Sequence, residues 1–276
     1  MPIIAISRGS YSQGQEVAEL VAEKLGYPCL AREVVLDASE RYHVPEVKLI
    51  HAIEDPPTLF ERLLHGKEGY IDYVRAALLK RFQADNLVYY GLLGHYFLPD
   101  VSHVVRVRVT ADFALRTAVV MERDHVSEEE ARNILQKSDH ARHQWAMHLY
   151  GIDPADPSLY DLMVHVGRVS TADTAEIICR FAELSTFRAT PASRALVNDL
   201  ALAAEVLAIL REHVPGVEVS ASAGEVLVTA PPARVRAGTS NEFSSRYQGD
   251  LERRVREYTL PIEGIAKIAV KVLARD

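Results

Sequence analysis

The sequence predicts an α/β protein: a mainly parallel sheet flanked by helices in the first two thirds, then a small α+β unit. From Met1 to about Thr190, short apolar segments typical of buried strands alternate with segments of helical periodicity. Such alternation implies crossover connections and parallel strands. After Phe187–Ser193, which has the composition of a linker, the order changes to α-β-β-α-β.

Local patterns define the elements of the first part. Pro2–Ser7 is a β-branched segment that predicts the first strand, and Gln13–Leu25 carries apolar residues at helical spacing. Ser127 followed by Glu130 is a capping-box pattern, which marks the start of a helix. The remaining predicted strands are Asn86–Gly91, His103–Thr110 and Asp161–Gly167, and the remaining helices are Tyr70–Phe82, Asp112–Arg123, Ser127–Leu149 and Ala172–Ser185.

The second part reads as a compact unit of its own. A long helix, two strands joined through Ala223-Gly224, another helix and a final strand follow one another; they are Ser193–His213, Val217–Ser222, Glu225–Ala230, Phe243–Tyr258 and Ala266–Leu273. We therefore predict one domain at residues 1–188 and a second at residues 193–276.

Composition limits the functional classes. Of the 276 residues, 48% are hydrophobic and 25% are charged, as in ordinary soluble globular proteins. No apolar run is long enough to span a membrane, and the N-terminus lacks the pattern of a signal peptide. Cys29 and Cys179 lie in no paired motif, so we expect a cytoplasmic protein with reduced cysteines. The net charge of −7 argues against general nucleic-acid binding but leaves room for a local basic pocket.

The segment Gly9–Glu16 lies where a phosphate-binding loop belongs, between the first strand and the first helix. The glycines Gly9 and Gly14 let backbone N–H groups turn inward, and the helix N-terminus adds positive potential. The standard loop continues with a lysine and a hydroxyl residue, but Gln15 and Glu16 occupy those places. A glutamine amide can bond phosphate without adding charge, so turnover should suffer more than binding. An ordinary strand–turn–helix junction would give the same local pattern.

Several dispersed motifs point to one family. Ile4-Ala5-Ile6-Ser7-Arg8, then Ser12, Gly14, Glu16 and Ala18, resemble an opening that reads I-S-R-x-x-G-S-G-G-R-E-I-A. The later matching segments are Leu25-Gly26-Tyr27, Arg32-Glu33, Ser127–Arg132, Asp139-His140-Ala141-Arg142, Tyr150–Asp153, Asp156-Pro157-Ser158 and Tyr160-Asp161-Leu162. From about Pro2 to Leu184 the chain thus resembles the cytidylate-kinase-like proteins.

The resemblance implies a P-loop nucleoside monophosphate kinase fold that uses ATP and Mg²⁺ with a CMP-like acceptor. Arg123, Arg132 and Arg142 would close over the phosphates as part of a lid, with Asp139 orienting Arg142. The expected ATP-binding residues are Arg8, Gly9, Ser10, Ser12, Gln13, Gly14, Gln15 and Glu16.

Two departures weaken the expectation of activity. Gln15 replaces the cation of the family's loop, and Leu92 replaces the arginine of a V-G-R step. The remaining lid arginines could also be exposed helix charges in i,i+3 or i,i+4 pairs, above all Arg132 beside its acidic run.

Three histidines lie close together in the sequence and suggest a metal site: His140, His143 and His148. On a helix, however, His148 points away from the other two. No carboxylate motif nearby completes a zinc site. We predict no such site and expect Trp145, on the same helix, in the core.

The α-β-β-α-β order of the second part resembles BON domains, which implies a binding module for a protein, a lipid surface or a small ligand. A stabilising or dimerising extension is the alternative. For the whole chain three hypotheses remain: an active nucleotide kinase, a kinase-derived nucleotide sensor with little or no activity, and a partner protein that has kept only the fold.

Overall fold

The computed structural model describes residues 2–31, 33–54, 66–91, 94–232 and 241–273. Five strands form a first, entirely parallel sheet. They are β1 (Ile3–Arg8), β2 (Cys29–Leu30), β3 (Leu87–Gly91), β4 (Val104–Ala111) and β5 (Leu162–Val166), and they lie in the order β2-β3-β1-β4-β5.

Helices cover both faces of this sheet. Those of the first part are α1 (Gly14–Leu25), α2 (Glu33–Tyr42), α3 (Glu46–Glu54), α4 (Gly66–Phe82), α5 (Phe113–Asp124), α6 (Glu128–Tyr150) and α7 (Thr171–Ala182). One core lies between the sheet and α1 and α7. The other lies between the opposite face and α2, α3 and α4. Because both faces are buried, β1 is continuously apolar from Ile3 to Ile6.

The second sheet is small and is covered on one face. Helix α8 (Pro191–Leu210) precedes β6 (Glu218–Ser222) and β7 (Glu225–Ala230), and α9 (Asn241–Thr259) precedes β8 (Lys267–Val272). The strands lie in the order β6-β7-β8, with an antiparallel and then a parallel pair. Their apolar side chains pack against α8 and α9.

Helix α8 belongs to two cores. Its N-terminal half, with Val197, Ala201 and Ala204, packs on the first part of the chain, whereas Val206 and Leu210 pack in the core of the second sheet. The helix begins directly after Thr190, which forms a capping box with Ser193, so little of the predicted linker remains as coil. The division into domains 1–188 and 193–276 stays a prediction, as does the resemblance to BON domains.

The predicted fold class is confirmed, with a parallel five-stranded sheet flanked by helices and a small extra sheet near the C-terminus. The bounds of the predicted strands and helices agree with the structure to within a few residues, whereas β2, α2 and α3 were not predicted. The capping box of Ser127 and Glu130 is present, and Trp145 is 3% exposed in the core. In the part of the chain described, none of the helices has the length and apolar character needed to cross a membrane.

Candidate functional site

The loop between β1 and α1 has a left-handed backbone at two residues with side chains. The φ angle is 57° at Tyr11 and 59° at Gln13. In the opening pattern that this loop resembles, both places are glycines, which adopt such angles at no steric cost. Other residues lose roughly 1–2 kcal/mol there, so surrounding contacts must hold the loop. Comparison of the loop with the pattern, residue by residue, would have identified both departures.

Two buried serines supply such contacts. Ser12 Oγ donates hydrogen bonds to the carbonyl oxygens of Gly9 at 3.0 Å and of Val109 at 3.1 Å. Ser10 Oγ lies 2.8 Å from Ser138 Oγ on α6. Both loop serines are 1% exposed. They therefore anchor the loop to β4 and to α6, the helix that carries Arg132 and Arg142 and is called the lid helix below.

Gln15 and Glu16, which replace the lysine and the hydroxyl residue, lie on the exposed surface of α1. Gln15 Nε2 donates to Glu19 Oε1 at 2.9 Å, and Thr171 Oγ1 donates to Glu16 Oε1 at 2.8 Å. Both side chains are therefore engaged by neighbouring residues of α1 and α7, outside the loop.

The other predicted loop residues are placed only in part. Gly14 is the first residue of α1 and is buried. Arg8 ends β1, but its side chain lies outside the described part of the structure, and so does Leu92.

Arg123 contacts the loop through Tyr11. Its Nη2 donates to the Tyr11 hydroxyl at 2.9 Å, and its guanidinium carbon lies 4.5 Å from the centre of the Tyr11 ring. Hydrogen bonds to Asp124 raise the pKa of Arg123 above its ordinary value. Arg132 forms an i,i+4 ion pair with Glu128 and is half exposed, which is the surface pairing that its acidic neighbours suggested.

Asp139 is held by a residue that the sequence did not assign to it. Arg116 donates to both Asp139 carboxylate oxygens, at 3.0 and 2.9 Å. The same arginine donates to the Ser10 carbonyl oxygen at 3.0 Å. Arg116 thus ties the loop to the lid helix, while the expected role of Asp139 in orienting Arg142 stays a prediction.

A cavity of about 370 Å³ lies at the carboxyl ends of β1 and β4. Parallel sheets bind ligands at this edge. Loop, strand and lid all contribute to its wall; the lining includes Ser7, Gly9, Arg108, Thr110, Arg116, Asp139, Arg142, His143 and Asp153. The loop, Asp139 and Arg142 were predicted from sequence and meet here, whereas Arg123 and Arg132 are not among the lining residues of this cavity.

Arg108 is a cavity residue that the sequence reasoning missed. Its Nη1 donates to the Tyr160 hydroxyl at 3.0 Å, and that hydroxyl donates to the Pro154 carbonyl oxygen at 2.8 Å. On β4, residues 105, 107 and 109 are buried while Arg106 and Arg108 share the other face. The alternation V-R-V-R-V could have placed both arginines on one strand face.

A buried neutral histidine, His95, lies next to the Tyr160 ring. His95 is 5% exposed, and its ring centre lies 4.4 Å from that of Tyr96 and 5.2 Å from that of Tyr160. Burial, followed by the charge of Arg106, lowers the pKa of His95 to about 3. Neither of its ring nitrogens has a hydrogen-bond partner among the described residues.

The histidines of α6 do not gather around one point. His143 Nδ1 lies 3.3 Å from Asp153 Oδ1 at the cavity. In the described ranges, no three or more His, Cys, Asp or Glu side chains are grouped as a metal site. Mg²⁺ commonly needs only one or two carboxylates besides substrate phosphates, and of the cavity carboxylates Asp139 is already bonded by Arg116.

The chain is similar in sequence to known proteins. The sequence profile of the cytidylate kinase-like family matches residues 3–168. A cytidylate kinase of Sulfolobus acidocaldarius is 26% identical over 176 residues, which are 63% of this chain and 91% of that protein. A cytidylate kinase of Methanopyrus kandleri is 32% identical over 88 residues, which are 32% of this chain and 45% of that protein.

A solved structure supports the fold. An uncharacterised protein from Eubacterium ventriosum superposes with a TM-score of 0.52 at 20% identity, covering 66% of this chain and 99% of that one. The family profile spans more than half of the chain, from β1 through the loop and the lid helices to the end of β5. This chain therefore belongs to the cytidylate kinase-like family.

Proposed function

We propose that this protein binds nucleotides in the cavity and transfers phosphate from ATP to a CMP-like nucleotide. The observation that carries the proposal is the meeting of the loop residue Gly9 with three arginines, Arg108, Arg116 and Arg142, in one cavity at the ligand-binding edge of a parallel sheet. Arginine suits bidentate phosphate contacts. The name cytidylate kinase, carried by two archaeal relatives, supports CMP as the acceptor.

Phosphoryl transfer requires chiefly positioning and positive charge around the transferred group. The backbone N–H groups at the start of α1 would contribute partial charge to the donor phosphates. Arg142 would bind phosphate oxygens from the lid, and Arg116 would hold the lid against the loop through Ser10 and Asp139. Asp153, whose Oδ1 accepts a hydrogen bond from the Ala155 N–H, is the cavity carboxylate that would hold Mg²⁺, whose contribution is to neutralise phosphate charge.

A nucleotide sensor with low turnover is a second candidate, and it has its own supporting observation. Gln15 and Glu16 are bonded to Glu19 and Thr171 on the outer surface of α1 and α7. The loop therefore lacks both the standard cation and the standard hydroxyl. Binding could survive this loss better than catalysis does. The second part of the chain would then report the bound state.

Calorimetric titration with ATP and with CMP, each with and without Mg²⁺, tests binding. We expect magnesium-dependent ATP binding with a Kd at or below roughly 100 µM, about −5.5 kcal/mol. Arg142→Met should weaken it about tenfold or more, whereas Arg132→Met, on the same helix but paired with Glu128, should not. Absence of binding by both nucleotides would overturn the proposal, and phosphate transfer to CMP separates the kinase from the sensor.

Restoring the loop cation is a further test. Gln15→Lys should strengthen ATP binding or raise turnover about tenfold, because a hydrogen bond to a charged group contributes roughly 1.5–3 kcal/mol. Glu19→Ala is the control, since it removes the acceptor of the Gln15 amide without placing a cation at position 15. If Gln15→Lys changes neither quantity, alone or with Glu19→Ala, the loop does not face phosphate.

A further inference from the structure

Arg108 differs from the other paired arginines near the site in the kind of partner it has. Arg116 is paired with Asp139, Arg106 with Asp161 and Arg123 with Asp124. Within the described ranges, Arg108 is hydrogen-bonded to the neutral Tyr160 hydroxyl and forms no ion pair with a carboxylate. Its guanidinium carbon also lies 5.4 Å from the centre of the Tyr160 ring.

Arg108 also lies close to the loop and at the cavity. It is half-buried, lines the cavity, and lies opposite Ser7 in the β1–β4 register. Ser7 is followed by Arg8 and then by Gly9, which begins the loop and lines the same cavity. A charge that is partly removed from water is stabilised by a compensating anion, and Arg108 lines the cavity in which such an anion would bind.

We infer that Arg108 supplies a phosphate-binding charge in a cavity whose loop lacks the usual cation at Gln15, and that Tyr160 positions it. The ligand is a phosphate group of a nucleotide, either from the donor or from the acceptor. The inference rests on the proposed function, because it assigns one cation to that site.

Tyr160 acts through Arg108 and not by contact with the phosphate. Its hydroxyl accepts from Arg108 and donates to the Pro154 carbonyl oxygen, so it joins β4 to the segment that lines the cavity at Asp153, Pro154 and Ala155. The buried His95 ring lies on its other side. Tyr160 is therefore a positioning residue that orients the guanidinium toward the cavity.

The test compares two arginines of one strand. Arg108→Gln should raise the Kd for ATP, for CMP or for both about 10-fold to 100-fold, measured by calorimetry. Arg106→Gln is the matched control: it lies two residues earlier on the same strand face, pairs with Asp161 and is not among the cavity-lining residues. It should leave both values within about twofold. The titration that responds identifies the donor or the acceptor phosphate.

Three further variants separate charge from structure. Arg108→Lys should restore part of the affinity, because it keeps the charge. Gln15→Arg added to Arg108→Gln should also restore part of it if the two positions serve the same phosphate. Tyr160→Phe keeps the ring and should raise the responding Kd about threefold to tenfold, with the salt dependence of binding retained.

The outcomes distinguish this inference from the proposed function. If the wild-type protein binds nucleotide and Arg108→Gln binds it equally well, the inference is wrong and the proposed function stands. If the wild-type protein binds neither nucleotide but binds pyrophosphate through Arg108, the proposed function is wrong, and only the assignment of Arg108 as a phosphate-binding residue stands. If pyrophosphate and nucleotides all fail to bind, both are wrong. Melting temperature and Trp145 fluorescence verify that each variant is folded.

Discussion

The two sheets of this protein differ in strand direction and in how many of their faces are covered by helices. The five-stranded sheet is parallel and has helices on both faces. The three-stranded sheet has helices on one face, and its strands alternate between inward apolar residues and outward residues that are polar or small apart from Leu227. In the first sheet, Ser7, Arg108 and Thr110 lie toward the carboxyl ends of β1 and β4 and line the cavity, whereas the buried pair of His103 and Asp85 lies at the amino ends of β4 and β3. Coverage of both faces leaves the strand ends for a ligand site, whereas coverage of one face leaves a broad polar surface.

Helix α8 packs against both parts of the chain and so connects the two sheets. Small residues on one side of it, Ala201 and Ala204, allow close packing against the first part of the chain. Arg194 pairs with the buried Asp85, and Arg211 pairs with Asp72, so ion pairs fasten the helix near both of its ends. The two sheets should therefore unfold together.

The largest expected effect comes from breaking this connection. Ala201→Glu places a charge in a buried site and should lower the free energy of unfolding by about 3 to 5 kcal/mol. Urea unfolding followed by the fluorescence of Trp145 and by hydrogen exchange in β7 should show both parts destabilised together. Ala195→Glu, on the exposed side of the same helix, is the control. Unchanged protection of β7 in Ala201→Glu would show that the sheets fold independently.

Acid should weaken the first sheet through His95. The folded-state pKa of His95 is lowered from 6.5 to about 3, so below pH 6.5 the unfolded state binds a proton that the folded state does not. Stability is then full above pH 6.5 and falls progressively toward pH 3. Between pH 7 and pH 5 the loss is about 2 kcal/mol.

Urea unfolding at several pH values measures this loss. His95→Phe keeps an aromatic ring in the buried site and should remove most of the dependence between pH 7 and pH 5. Burial also lowers the pKa of His103, so a smaller slope of the same sign should remain in the variant. An unaltered slope would mean that His95 is accessible to protons in the folded protein.

The smallest expected change in stability tests whether the second sheet is covered by helices on one face only. Val228 is 0% exposed and Leu227 is 38% exposed, although they are neighbours on β7. Val228→Ala should cost about 2 kcal/mol of unfolding free energy, and Leu227→Ala less than about 0.5 kcal/mol. Thermal unfolding of the two variants provides the comparison. Equal losses would show that the outer face is also covered.

Local sequence was sufficient for most of the elements. The β-branched segment at Pro2–Ser7, the apolar spacing of Gln13–Leu25 and the capping box at Ser127 each depend on residues within one or two turns of one another. Interactions of such short range can be read from periodicity. The position of the loop after the first strand followed from the same patterns, whereas the meeting of loop and lid was implied by the family resemblance.

Contacts between distant residues could not be obtained in this way. Arg116 of α5 bonds Asp139 of α6, and Tyr160 bonds Arg108 from a separate segment. Periodicity showed that residues 106 and 108 share a strand face, but it did not show which face is open to the cavity. That depends on where the helices lie.

For this protein, then, the amino-acid sequence alone specified the family, the alternation of strands and helices, and the absence of a lysine from the loop between β1 and α1. The packed fold determined which cations surround the cavity and which are already neutralised by carboxylates. It also joined the two sheets through α8, because a helix that separates two units in sequence can bury one half against each. Charge is visible in a sequence, but its pairing depends on distances that arise only when the chain is folded.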